Sequence, residues 1–328
     1  MNKLKLLTMS DIPSEEVRWL WRPYLPRGKI TIVQGDPGEG KTTFVLALAA
    51  LLTRGLPMPG DTESLPPMNV IYQTAEDGLA DTVKPRLTAL GADCSCGLVI
   101  DESERELTLS DRRLSQAIQE TGAGLLVLDP IQAYLGDGVD MHRANEVRPI
   151  FKRLGQLAEQ TGCAIVLVGH MNKMQGAKSA YRGLGSIDFR AAARSVLLVG
   201  RSKDDSVVRV VVHDKSSLAP EGASILFSLH SDTGFSWNGF CDTTAGELLS
   251  GNGPGTTKTE QAERLLLELL KNGEVASEEL VRESSARGIS ERTLKIAKQN
   301  QGIISVRRGD HWYAKLSDSG QEGKGVMC

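Results

Sequence analysis

The chain is punctuated by short apolar runs. From residue 29 to about residue 229 they are "ITIVQG", "NVIYQTAE", "GLVID", "GLLVLDP", "AIVLVGH", "SVLLVGR" and "VVRVVVHD". The runs are continuous rather than alternating, the pattern of strands buried on both faces. Between the early runs lie amphipathic stretches such as 42–53 and 147–160, whose apolar positions recur at helical spacing. Strand and helix in alternation predict an α/β fold, a mostly parallel sheet flanked by helices. Only "SKDDS" separates the last two runs, too short for a crossover, so they extend the sheet antiparallel.

The pattern then changes. "SGNGPGTT", at 250–257, is a glycine-rich linker. Thr257 and Glu260 after it form a capping box, followed by Ala262, Leu265, Leu266, Leu269 and Leu270 at helical spacing. "SEELVRESSAR" predicts a second helix stopping at Gly288, and Ser290 caps a third, "ERTLKIAKQNQ". "IISVRRGDHWYAKL" predicts a hairpin turning at Gly309 and Asp310. Three short helices and a hairpin predict a small winged helix-turn-helix. The expected organisation is an N-terminal strap at 1–28, an α/β core at 29–240, a flexible linker at 241–257, the winged unit at 258–316 and a disordered tail at 317–328.

Composition adds exclusions. With 328 residues, 40% hydrophobic and 24% charged, the chain suits a sizeable core, and a net charge of −3 carries no global nucleic-acid signature. Five cysteines without repeating spacing are expected to be free thiols. The first 16 residues hold no apolar run of a secretory leader, and no stretch approaches the ~20 apolar residues of a membrane span. A cytoplasmic protein without a membrane partner is the expectation.

"GDPGEGKT", at 35–42, fits the phosphate-loop pattern G-x-x-x-x-G-K-[ST] and lies between a strand and a helix, the context that pattern requires. Successive backbone N–H groups of Gly35, Asp36, Pro37, Gly38, Glu39, Gly40 and the turn to Thr43 wrap a phosphate, proline excepted as a donor, and the helix N-terminus adds its dipole. Lys41 reaches the outer phosphates of ATP and Thr42 offers a hydroxyl to Mg2+. Asp129, ending the run "GLLVLD", stands where a carboxylate holds Mg2+. Pro130 follows it, so no carboxylate directly after Asp129 can activate water. The base must come from elsewhere. Glu76, at the end of "NVIYQTAE", is the candidate, with Asp77 the neighbouring alternative. His170, ending "AIVLVGH", is placed to sense the outer phosphate and pass its presence onward.

Together these positions resemble the RecA-like ATPases, and more narrowly hexameric replicative helicases of the RepA and DnaB kind. "WLWRPYLPRGKITIVQGDPGEGKTT", "AEDG" and "AAARSVLLVGR" are similar to the RepA-like branch of phage and mobile-element ATPases. The resemblance covers about 17–229. It implies a ring of subunits, a hexamer, with ATP bound between neighbours and single-stranded DNA in the channel. It also implies a basic residue donated in trans, for which Lys215, then Arg201 and Arg194, are the candidates. Within "GHMNKMQGAKSAYRGLGSIDFRAAARSVLL", at 169–198, Lys173, Lys178, Arg182 and Arg190 would neutralise phosphates, while Gly183 and Ser186 allow close approach of a strand. Arg18 to Lys29, with two of the four tryptophans, either packs on a neighbour or base, or straps the sheet edge.

Two features depart from that family. With almost nothing before the core, no DnaB-type collar is expected, and the winged unit is extra. Between 287 and 315 seven Lys/Arg face two acidic residues. Arg292, Lys295 and Gln299 share one helix face, with Leu294 and Ala297 opposite, and Arg307 and Arg308 lie on the wing. That excess predicts contact with duplex DNA.

Overall fold

The computed structural model describes residues 6–136, 138–141, 143–171, 187–202, 205–231, 234–249, 258–271 and 273–316. Lys173, Lys178, Arg182, Gly183 and Ser186, the capping Thr257, the glycine-rich stretch 250–257 and the tail lie outside the described residues. The chain divides into two compact units, Met1–Gly253 and Pro254–Cys328.

In the first unit, β1 (Trp19–Trp21) and β2 (Leu25–Pro26) pair antiparallel. The remaining elements are β3 (Ile30–Gly35), α1 (Lys41–Arg54), β4 (Val70–Thr74), α2 (Lys84–Ala89), β5 (Gly97–Leu98), α3 (Arg112–Thr121), β6 (Leu125–Asp129), α4 (Ala144–Thr161), β7 (Ala164–His170), α5 (Ile187–Ala192), β8 (Ser195–Arg201), β9 (Val208–Ser216), β10 (Ser224–His230), β11 (Gly234–Cys241) and α6 (Ala245–Leu249). Strands β3 to β11 form one nine-stranded sheet in the order β11-β10-β9-β8-β3-β7-β6-β4-β5. It is parallel from β5 to β8 and antiparallel from β8 to β11. This is the predicted α/β sheet with its antiparallel extension, carried two strands further.

Both faces are covered, which is why the central runs are apolar throughout. Val33, Val127, Val166 and Val168 meet Phe44, Val45, Leu48 and Leu52 of α1 on one face. Ile32, Leu126, Leu128, Ile165 and Leu167 meet Leu114, Ile118, Phe151 and Leu154 of α3 and α4 on the other. Full burial of each large side chain contributes roughly 1.5–3 kcal/mol. Local signals set the helix ends. Asp111 accepts the Arg113 N–H at 2.9 Å to start α3, and Gly122, at φ 62°, ends it.

Two predicted strands are shorter than their apolar runs. The run "NVIYQTAE" leaves the sheet at Thr74, because the Thr74 hydroxyl accepts the N–H groups of Glu76 and Asp77 and turns the chain. The run "GLVID" pairs only at Gly97 and Leu98. Beyond it the side chain of Gln73 replaces the ladder, its amide bonding both the N–H and the C=O of Ile100.

The part of the strap around Trp21 and Tyr24 folds against its own unit. Trp21 is 1% exposed, donates its indole N–H to Pro59 O at 3.0 Å, and lies against Tyr24 and Trp237. Tyr24 donates to Ala223 O at 2.7 Å.

The second unit holds α7 (Lys258–Leu270), β12 (Val275–Ala276), α8 (Ser277–Ala286), α9 (Glu291–Asn300), β13 (Ile303–Arg308) and β14 (His311–Leu316), with strand order β12-β14-β13. Its own core comprises Ala262, Leu265, Leu266, Leu270, Leu280, Ile289, Leu294, Ala297 and Ala314. Ser290 caps α9 by accepting the Thr293 N–H. The short strand β12, two residues long, was invisible to periodicity.

Candidate functional site

The phosphate loop joins β3 to α1. Its shape depends on two glycines with no room for a side chain. A Cβ at Gly35 would meet Val199 O at 2.2 Å, and one at Gly40, where φ is 88°, would meet Leu229 Cδ1 at 2.8 Å. Asp36, Pro37 and Gly38 are exposed at the loop tip, while Lys41 is 5% exposed. The ammonium of Lys41 donates to Gly35 O at 3.0 Å and Asp36 O at 2.8 Å, so it folds back under the loop. Burial lowers its pKa, against the pull of Asp129, Asp36, Glu39 and Glu76.

The strand ending in Asp129 is not adjacent to the strand leading into the loop, since β7 lies between them. The two ends nevertheless converge. The Thr42 hydroxyl donates to Asp129 Oδ2 at 2.8 Å, and the Tyr72 hydroxyl donates to the same oxygen at 2.8 Å. Burial pushes the Asp129 carboxyl up, while Thr42, Tyr72 and Lys41 hold it down. Tyr72, in mid-strand, carries no sequence signal beyond an aromatic in an apolar run.

Among the described residues no group of three or more His, Cys, Asp and Glu converges. The donor set is one hydroxyl and one carboxylate at the foot of a phosphate loop. That set suits Mg2+, a hard cation that usually takes one or two protein oxygens and completes its shell with substrate phosphates and water. Thr42 and Asp129 would hold it.

Glu76 and His170 reach the same end of the sheet. His170 Nε2 lies 3.9 Å from Glu76 Oε1, and Glu76 is 65% exposed. Among the described residues, His170 Nδ1 is buried without a hydrogen-bond partner. Asp77, the alternative base, is instead engaged by Arg86 at 2.9 Å.

The structure sorts the basic candidates by sheet end. Val196 pairs with Lys215, and Ser195 pairs with both Thr31 and Ser216. Arg194 and Lys215 thus lie at the start of β3, some four residues or roughly 13 Å of strand from Gly35. Lys215 donates to Arg190 O and Ala193 O, and Arg194 is exposed. Arg201 lies at the opposite end, 3.7 Å from Glu39 of its own loop. Arg190 is not a free phosphate ligand here, because its guanidinium pairs with Asp214 Oδ2 and donates to Asp214 O. Arg209, which sequence reasoning did not single out, is 6% exposed and lies 3.9 Å from Glu39.

In the second unit Leu294 and Ala297 are buried and Lys295 is exposed on α9, with Arg292 near its start. Arg307 leans toward Asp310 at 4.0 Å, and Arg308 meets Glu274 at 2.9 Å. Both pairs are exposed and worth little.

A family model described as "AAA domain" matches residues 4–176, which include the phosphate loop, Glu76, Asp129 and His170. The DNA repair protein RadA of Halalkalibacterium halodurans is 32% identical over 152 residues, 46% of this chain and 29% of that protein. RadA of Bacillus subtilis is 29% identical over 149 residues, 45% of this chain and 29% of that protein. The chain thus spans under a third of the length of these relatives. A KaiC-like protein of Pyrococcus horikoshii superposes with a TM-score of 0.48 at 17% identity, covering 68% of this chain and 99% of that one.

Proposed function

The chain belongs to the AAA domain family, and from that premise we propose that it hydrolyses ATP under the control of DNA. The observation that carries this reading is the Thr42–Asp129 hydrogen bond, with Lys41 beneath it and Glu76 and His170 at the same end of the sheet. Lys41 exchanges its two backbone carbonyls for the outer phosphates. Thr42 and Asp129 hold Mg2+, which when bound neutralises charge on the phosphate oxygens. Glu76 accepts a proton from the attacking water. Its exposure leaves room for that water, whereas Asp77 is tied to Arg86. His170 lies beside Glu76 and two residues before position 172 in the chain, so it couples the state of the outer phosphate to Lys173, Lys178 and Arg182, which grip single-stranded DNA without reading its sequence.

We infer further that subunits assemble as a ring, a hexamer, of the replicative-helicase kind. Lys215 and Arg194 support this, since both stand at the sheet end away from their own phosphate loop and so suit donation to a neighbour. The three helices and three strands of the second unit suit a winged helix-turn-helix, with Arg292, Lys295, Arg307 and Arg308 available for duplex DNA.

The test is the rate of ATP hydrolysis with and without single-stranded DNA, alongside the mass of the assembly with a nonhydrolysable nucleotide. Stimulation together with a closed oligomer is expected. A monomer indifferent to DNA overturns the reading. A second reading, a repair or recombination ATPase that does not unwind, is favoured by the similarity to proteins named for DNA repair. Displacement of a strand from a forked duplex supports the helicase, and DNA-stimulated hydrolysis without displacement supports the second reading.

A further inference from the structure

A carboxylate in a phosphate loop works against the loop's task, because it repels the polyphosphate that the backbone amides attract. Glu39 is such a carboxylate, placed between the exposed Gly38 and the hemmed-in Gly40. The fold supplies two cations against it. Arg201 from the end of β8 and Arg209 from the start of β9 are cross-strand partners. Their Nε atoms lie 3.7 and 3.9 Å from the same oxygen, Glu39 Oε2.

These distances are ion-pair contacts, not hydrogen bonds. Among the described residues, Glu39 Oε2 and Arg209 Nε are both buried without a hydrogen-bond partner. Arg209 spends other donors on Ser206 O and Val208 O, which hold the side chain in place. Burial and the Arg201 charge press against its cationic form, and Glu39 and Asp205 oppose them. A desolvated arginine in this position has little reason to be there unless its charge serves the carboxylate. Arg201 is about half exposed and remains open to a second anion.

We propose that Arg201 and Arg209 are positioning residues of the nucleotide site: they neutralise Glu39 in cis and so make the phosphate loop receptive to a nucleoside triphosphate. Arg201 therefore acts on its own loop and is not the residue donated in trans. This rests on the nucleotide-binding reading above and specifies what tunes it. The charge balance makes the triphosphate more sensitive than the diphosphate to loss of either arginine.

The experiment measures dissociation constants of a fluorescent ATP analogue and its ADP counterpart on the full chain, with Mg2+ and without DNA. Arg201→Gln and Arg209→Gln are each expected to weaken the triphosphate tenfold or more, and the diphosphate less. Glu39→Gln alone is expected to leave the triphosphate as tight or tighter. The decisive arm is Glu39→Gln combined with either arginine variant, which restores the wild-type constant. An arginine loss that the Glu39 change fails to rescue overturns the proposal, as does unchanged binding in the single variants. Arg209→Gln removes a buried group and can lower the melting temperature. Arg201→Gln, at an exposed side chain, carries the same test free of that effect. A wild-type chain that binds neither nucleotide overturns the site itself and this proposal with it. Normal wild-type binding with flat variants overturns only this one.

Discussion

Tyr72 shows how much one hydroxyl carries here. Its donation to Asp129 is shared with Thr42 on a single oxygen, in a site where burial already disfavours the carboxylate's charge. Tyr72→Phe removes one donor and leaves the shape unchanged. Stability to urea should fall by about 1.5–3 kcal/mol, in line with hydrogen bonds to charged groups, and the Asp129 carboxyl should rise further. At the mouth of the site, Glu76→Gln should lower kcat ~100-fold or more while ATP still binds, the loss expected when a general base is removed. Asp77→Asn should change kcat far less, since Asp77 already serves Arg86. Equal losses from the two variants, in a single-turnover assay, would remove Glu76 from the role. Sequence placed both carboxylates at one strand end and favoured Glu76, with Asp77 the neighbouring alternative; the Arg86 contact that engages Asp77 belongs to the fold alone. The Thr74 turn that separates them is a side-chain contact without periodicity.

At the level of elements, β9 ties together parts that are far apart in sequence. His213 is 3% exposed on it, with Nε2 3.1 Å from Ser195 Oγ of β8 and Nδ1 accepting the Gly222 N–H at 3.0 Å. Burial lowers its pKa to about 4, against an ordinary value of 6.5. Between those values the unfolded chain binds the proton and the fold does not. Stability is therefore full above pH 6.5 and is lost as pH falls toward 4, by up to ~3 kcal/mol. His213→Gln, which does not titrate, should flatten the fall in melting temperature across that window. The segment between β7 and α5 has a different test. Lys178→Ala with Arg182→Ala should weaken DNA stimulation and its salt dependence while basal hydrolysis persists. Full stimulation in that variant would remove the segment from DNA binding.

For the whole molecule, every residue of the nucleotide site lies in the unit Met1–Gly253, and the second unit has a nine-residue core of its own. A chain ending at residue 250 should therefore still bind nucleotide, with a dissociation constant within a factor of about three of the full chain, while its affinity for duplex DNA falls. Loss of nucleotide binding on that truncation, measured by the fluorescent analogue, would tie the two units together in a way the separate cores do not suggest.

The sheet, the helices over it and the phosphate loop were legible along the chain because each is encoded locally: continuous apolar runs, helical spacing, and glycines at a fixed offset before Lys41 and Thr42. The same holds for the second unit, where Ser290 caps α9, Gly288 follows α8 and a Gly-Asp turn joins β13 to β14. What local signals could not carry is order across the sheet. The insertion of β7 between β3 and β6, and the pairing of β8 with β3, come from long-range hydrogen bonding that has no periodicity. That order brings Tyr72 to Asp129 and Arg201 and Arg209 to Glu39, and it carries Lys215 to the far end of the sheet. A residue's type and neighbours in sequence announce what chemistry it can do. Its partner depends on which strands lie side by side, and only the packed sheet sets that.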